Sequence, residues 1–248
     1  MEETVFGYHA VESLLRLDPK RVNTVLVQSS RNDKRMQALC ALARNQGVVL
    51  EPCPRQVLDE RVEGRHQGVV AVLHSGAADN SEGMPEANLL GLVAQAAVPL
   101  ILILDGVTDP HNLGACLRSA EAAGVTAVIF PKDRSADVNA VVRKVACGAA
   151  EAVPWVRVTN LARTIETLKQ AGVWIIGTSG DASETLFERD LAGPCALVLG
   201  SEGSGMRRLT QDLCDYRVQL PMAGTVSSLN VSVAAGICLF EAVRQRRD

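Results

Sequence analysis

The side chains in this 248-residue sequence best suited to move a proton or fix a polar ligand concentrate in three segments: DGVTDPHNLGACLRSAEAAG at 105–124, LGSEGSGMRR at 199–208 and LPMAGTVSSLNVSVAAG at 220–236. In the first, His111 belongs to the one residue type that ordinarily titrates near neutrality, which makes it a candidate general base. Arg118 keeps its proton in almost any protein setting, so it suits orienting an anion or stabilising charge, or simply pairing with Glu121 one turn on. In the second, Glu202 is a carboxylate set among Gly200, Gly203 and Gly205. Those glycines do not fall at GxGxxG offsets, and GxxxxGK[ST] occurs nowhere in the chain, so a dinucleotide fingerprint and a P-loop are both excluded. Alone, the glycine run reads equally as a flexible turn. Asn112, Ser228, Asn230 and Ser232 are small polar residues that fit ligand contact or helix capping.

These segments must be held by the elements around them. From Pro99 onward the apolar runs LILIL, VTAVIF, WVRV, VWIIGT and CALVLG alternate with helical stretches LGACLRSAEAAG, NAVVRKVACGAA and NLARTIETLKQAG, the pattern of a parallel sheet with crossover helices. A last strand, YRVQLP, leads into a long helix from about Leu229 to Arg244. In such a sheet, ligands collect beyond the carboxyl ends of the strands, where all three segments lie. Gly124 and Gly172 sit where helices end, and Asn160 sits at an N-cap position.

Before that region, Tyr8 to Leu73 reads as a smaller α/β domain: a helix through HAVESLLRL, strand VNTVLVQ, a helix through DKRMQALCALARNQG closed by Gly47, strand VVLEP, a helix in RQVLDERV and strand GVVAVL. The stretch SGAADNSEGMPEAN has linker chemistry. The expected division is a domain at 1–75, a linker at 76–97 and a larger domain at 98–248.

The composition, 47% hydrophobic but 3% aromatic, indicates a globular α/β protein with an aliphatic core. Acidic residues near the N-terminus, and no apolar run approaching roughly 18 residues, point to a cytoplasmic protein without a membrane span. Seven cysteines without a CxxC pair read as reduced core residues, and no metal is expected. A formal charge of −3 offers no global nucleic-acid footprint. Local clusters exist at Arg31, Lys34 and Arg35; Lys132 and Arg134; Arg143 and Lys144; Arg207 and Arg208; and Arg244, Arg246 and Arg247. Each is a candidate phosphate contact or a solvated face.

In order and spacing, the three segments resemble the motifs of the SpoU class of SPOUT RNA methyltransferases, through Asn112, Gly114 and Arg118; Gly200, Glu202, Gly203 and Gly205; and Pro221, Met222, Ser228, Leu229, Asn230 and Ser232. GYHAVESLL and HQGVVAV resemble the substrate-binding domain fused to this catalytic domain in bacterial 23S ribosomal RNA guanosine 2′-O-methyltransferases, a domain similar to the ribosomal protein L30e type of fold. The resemblance thus implies an N-terminal L30e-like α/β domain and a C-terminal SPOUT domain with a trefoil knot, a homodimer, S-adenosylmethionine as cofactor and ribosomal RNA as substrate. It also implies catalytic roles for Arg118, Asn112, Glu202, Ser228 and Asn230. Cofactor contacts fall to Thr178, Gly200, Glu202, Gly203, Leu220, Met222, Ser228 and Leu229, where backbone groups around Gly200, Leu220 and Leu229 could bracket an adenine. A transfer RNA 2′-O-methyltransferase and a non-catalytic RNA-binding protein are the alternatives.

Overall fold

The computed structural model describes residues 4–17, 19–62, 64–73 and 83–247. They divide into two compact units, the first taking the described residues through Leu73 together with Cys147–Ala152 and the second taking the remainder. Of the expected linker, residues 76–82 lie outside the described residues, while 83–97 are described and hold a helix at Leu89–Gln95.

The first unit runs β1 (Thr4–Phe6), α1 (Tyr8–Leu17), β2 (Val22–Gln28), α2 (Lys34–Asn45), β3 (Val49–Cys53), α3 (Arg55–Arg61) and β4 (Val69–Leu73). Its sheet has the order β1-β4-β2-β3, with β4 antiparallel to both neighbours and β2 parallel to β3. β4 is buried along its whole length, as a central strand covered on both faces must be. Val69 and Ala71 face Val11, Leu15 and Leu39, while Val70 and Val72 face Leu26 and Leu58. Asp33 caps α2 by accepting the Met36 N–H at 3.0 Å. The three-residue β1 went unread in the sequence because so short a run carries no periodicity.

A tight turn precedes β4. Gln67 takes a left-handed φ of 51°, and its carbonyl accepts Arg31 Nη1 at 2.5 Å while Arg31 Nε holds Asp33 at 2.6 Å. Gln67 Oε1 accepts the Tyr8 N–H at 3.0 Å. Buried His66 takes the Gly68 N–H on Nδ1 and meets Asp59 at 2.9 Å through Nε2. That hydrogen bond holds the Asp59 carboxyl below its ordinary range.

The second unit continues with α4 (Leu89–Gln95), β5 (Leu100–Asp105), α5 (Pro110–Ala122), β6 (Ala127–Pro131) and α6 (Ala140–Ala146). After α7 (Ala149–Ala152), which groups with the first unit, it resumes with β7 (Trp155–Val158), α8 (Leu161–Gln170), β8 (Trp174–Thr178), β9 (Glu184–Thr185) and β10 (Cys195–Gly200). It ends with α9 (Arg208–Leu213), β11 (Tyr216–Gln219) and α10 (Val231–Gln245). The seven strands are parallel throughout, in the order β7-β6-β5-β10-β8-β11-β9. Both faces are covered, so β5, β6 and most of β10 are buried from end to end. Trp155 stacks on Phe130 with ring centroids 5.8 Å apart, whereas Trp174 is half exposed beside Tyr216.

Two expectations need correction. The helix read across 139–150 breaks at Cys147 and Gly148, which take φ of 54° and 97° and separate α6 from α7. Cys147 is consequently exposed rather than a core residue. β9 and α9 were also unread, being two and six residues long. No helix among the described residues is long and apolar enough to cross a membrane.

Candidate active site

The three segments meet at the carboxyl edge of the parallel sheet. β5 and β10 finish side by side, Asp105 opposite Gly200 in the ladder, and β8 finishes at Thr178 on the other side of β10. From Gly200 the chain makes a narrow loop whose sides pair through the Ser201 N–H to the Gly205 carbonyl at 3.1 Å and back at 2.9 Å. The returning strand of the loop passes directly over Gly200, where a Cβ would lie 2.0 Å from both Gly205 C and Met206 N. Only glycine fits there. The apex, Glu202 to Ser204, turns through Gly203 at φ 81°.

The helix starts supply the other partners. Asp109 caps α5 by accepting the His111 N–H at 2.9 Å, with Pro110 in the first turn where its missing N–H costs nothing. Asn230 caps α10 by accepting the Ser232 N–H at 2.9 Å. These caps place Asn112 and Asn230 on either side of Glu202. Glu202 Oε1 accepts Asn112 Nδ2 at 3.1 Å, Asn230 Nδ2 at 2.5 Å and the Val231 N–H at 3.3 Å. Asn230 Nδ2 also reaches Asn112 Oδ1 at 3.0 Å, so one residue from each segment joins a single network.

Beside this network lies a cavity of ≈ 380 Å³. Thr178, Gly200, Glu202, Gly203, Leu220, Met222, Ser228 and Leu229, the eight expected cofactor contacts, all line it. So do Ser179, Gly180, Met206, Gln211 and Ala234, which sequence reasoning did not select. Met206 and Gln211 are drawn in by the loop: Gln211 Nε2 donates to the Met206 carbonyl at 2.8 Å, a contact with no sequence signature. A second cavity of ≈ 80 Å³, bounded by Thr108, Asp109 and Asn112 among others, shares Ser201, Glu202 and Val231 with the first. Glu202 therefore stands in the wall between them.

Two proton-handling candidates stand apart. Arg118 is exposed on α5, six residues beyond Asn112, which places it about 240° around the helix and roughly 9 Å along it, and it lines neither cavity. His111 is 72% exposed, with Nδ1 3.3 Å from Asp109 Oδ1. The His111 backbone N–H and ring hold the Asp109 carboxyl below its usual range.

Several of the basic-cluster arginines have partners within the chain. Arg207 binds the buried Asp105, Arg244 makes paired contacts to Glu241 at 2.8 Å, and Arg246 donates to the carbonyls of Val98, Leu191 and Gly193. The Arg244 and Gln245 hydrogen bonds pull the buried Glu241 carboxyl down to about 2.

Known proteins share this arrangement. Residues 99–240 match the SpoU rRNA Methylase family, and residues 4–76 match the family described as RNA 2′-O ribose methyltransferase substrate binding. The chain is 55% identical over 247 residues to the 23S rRNA (guanosine-2′-O-)-methyltransferase RlmB of Escherichia coli strain K12, covering 99% of this chain and 100% of that one. It is 57% identical over 244 residues to the protein of the same name from Pseudomonas aeruginosa, covering 98% and 97%. Among solved structures, the SpoU methyltransferase AviRb from Streptomyces viridochromogenes, in complex with the cofactor AdoMet, superposes with a TM-score of 0.73 at 29% identity over 99% of this chain and 90% of that one. An RNA 2′-O ribose methyltransferase gives a TM-score of 0.78 at 26% identity, covering 98% and 88%. With its motifs, its sheet and more than half its length accounted for in this way, the chain belongs to the SpoU rRNA methylase family.

Proposed function

We propose that the protein methylates the 2′-hydroxyl of a guanosine ribose in 23S ribosomal RNA, using S-adenosylmethionine, in the cytoplasm. The observation that carries this reading is the Glu202 network between the two cavities, one wide enough for the cofactor and one bounded by the first segment. The lining fits the cofactor chemically, because Glu202 is its one charged side chain among the described residues, and a carboxylate without a competing cation suits a sulfonium. A phosphate-bearing cofactor would call instead for cations or an open helix N-terminus.

When bound, S-adenosylmethionine supplies an electrophilic methyl group. Leu220, Met222 and Leu229 provide apolar walls, while Thr178, Gly200, Gly203 and Ser228 contribute backbone and hydroxyl groups to the same cavity. Glu202, Asn112 and Asn230 fix one another and with them the wall the two cavities share. Arg118 holds the substrate phosphate and stabilises negative charge developing on the 2′-oxygen, a role a permanently protonated guanidinium can perform.

Arg118 reaches that position from a second copy of the chain. Supporting this homodimer, Val233 and Phe240 are 51% and 48% exposed and two turns apart on α10, which packs by another face on α5. The reading includes a trefoil knot in the second unit, supported by membership of the SpoU family and the likeness to SpoU methyltransferase structures. The division into a substrate-binding domain at 1–75, a linker at 76–97 and a catalytic domain at 98–248 is part of the same reading. Residues 4–73 carry ten Lys and Arg against seven Asp and Glu within a chain of net −3, which supports assigning the RNA contact to the first domain.

Incubating the protein with 23S ribosomal RNA and methyl-labelled cofactor, then mapping alkali-resistant linkages, tests the proposal. Label at the 2′-oxygen of one guanosine is expected. No incorporation, label on a base, or label only on transfer RNA would overturn it.

A further inference from the structure

We infer that Asp105 and Arg207 form a latch that positions the Glu202 loop, and that this pair thereby governs ligand affinity in the large cavity and the placement of Glu202; the inference rests on the methyltransferase reading above. Asp105, the last residue of β5, has a completely buried side chain. Arg207 Nε and Nη2 lie 2.6 and 2.5 Å from its Oδ1, and the Arg207 backbone N–H lies 2.8 Å from its Oδ2. One residue thus supplies three donors to one carboxylate, fixing its own main chain as well as its side chain.

The loop has two feet, and both meet Asp105. Gly200 leaves the sheet opposite Asp105 in the ladder, and Arg207 returns to its carboxylate. Between them, Met206 is buried against β8, where a Cβ on Gly177 would stand 2.7 Å from Met206 Cε. The apex is left to carry Glu202 to Asn112 and Asn230. Neither Asp105 nor Arg207 lines a cavity, so both act through the loop as positioning residues. Asp105 is buried while the Arg207 side chain stays 44% exposed, so the pair adds little net stability, whereas the geometry it imposes is specific. Lysine would keep the charge but not the fork of donors.

The test uses the full chain with Arg207→Met, Arg207→Lys and the double variant Asp105→Asn/Arg207→Met. Three quantities are measured: hydrogen exchange of the Ser201 and Gly205 amides without cofactor, calorimetric affinity for S-adenosylmethionine, and single-turnover methylation at saturating RNA and cofactor. In Arg207→Met, the two amides should exchange at least tenfold faster while those of Leu102 and Leu197 keep their protection. Cofactor affinity should fall tenfold or more, single turnover should slow, and Arg207→Lys should recover part of each. Exchange, affinity and rate within twofold of the parent would overturn the latch. If Arg207→Met fails to fold because Asp105 is left buried and unpaired, the double variant, which removes charge and partner together, is read by the same criteria. Exchange needs no cofactor, so a parent protein that binds no S-adenosylmethionine would refute the methyltransferase reading while the loop result stands or falls by itself.

Discussion

Glu202 Oε1 lies 3.1 Å from Asn112 Nδ2 although 90 residues separate them, and the same oxygen takes Asn230 and the Val231 amide. Removing that acceptor takes a partner from three donors, of which Asn230 Nδ2 keeps Asn112 Oδ1. Glu202→Ala should therefore lower stability by about 1 kcal/mol and abolish methyl transfer. Glu202→Gln, which keeps an oxygen for the donors, should retain most of the stability and still lose at least tenfold in rate. Thermal unfolding alongside single-turnover assays checks both, and an active, stable Glu202→Ala would dismiss the hub.

Arg118 is outside both cavities, so its loss should leave the cofactor site untouched. Arg118→Ala is expected to slow single turnover at least a hundredfold with cofactor affinity within twofold of the parent, and His111→Ala should be much milder. Retained activity in the arginine variant with collapse in the histidine variant would exchange their roles. Because the arginine is assigned to a partner copy, mixing Arg118→Ala with an inactive Glu202→Ala chain should restore part of the rate.

The Glu241 carboxyl lies below its ordinary value of 4.5, at about 2, held by Arg244 and Gln245. Its folded state favours the ionised form, so its contribution is complete above the unfolded value and is lost as pH falls through the window from about 4.5 to 2. The stability difference between the parent and Glu241→Gln should be about 1 kcal/mol above pH 5, at the low end because Arg244 is 69% exposed, and should vanish towards pH 2. Urea titrations across that range measure it, and a difference independent of pH would rule the network out.

In the first unit, Arg31 braces the Gln67 turn while Lys34 and Arg35 are exposed on α2. Arg31→Ala should cost about 1 kcal/mol of stability. Lys34→Ala with Arg35→Ala should instead leave stability near the parent's and lower the slope of log affinity against log salt by about one for each phosphate that is no longer neutralised. An unchanged slope would assign both residues to a solvated face.

The strands that hold the site were legible as continuous apolar runs: β5 and β10 occupy LILIL and CALVLG, and Asn160 caps α8 where expected. The network was legible only as residue types. Asn230 offered a choice between cap and ligand contact; its oxygen caps α10 while its amide holds Glu202. What sequence could not reveal was the use of a charge. Arg31, Arg207 and Arg246 look like any other surface cations in the sequence, yet their partners lie 36, 102 and up to 148 residues away. The break at Cys147 was hidden too, since a left-handed non-glycine residue inside a helix-forming run has no signature of its own.

The contrast between Trp155, stacked under Phe130, and the half-exposed Trp174 has an optical consequence. Both tryptophans of the chain belong to the second unit, so indole emission follows that unit alone and is blind to the other. Far-ultraviolet dichroism follows the backbone of both. Denaturation recorded by the two signals would coincide for a single cooperative transition and separate if the units melt in turn, which makes the natural sequence its own label for the order in which its halves come apart.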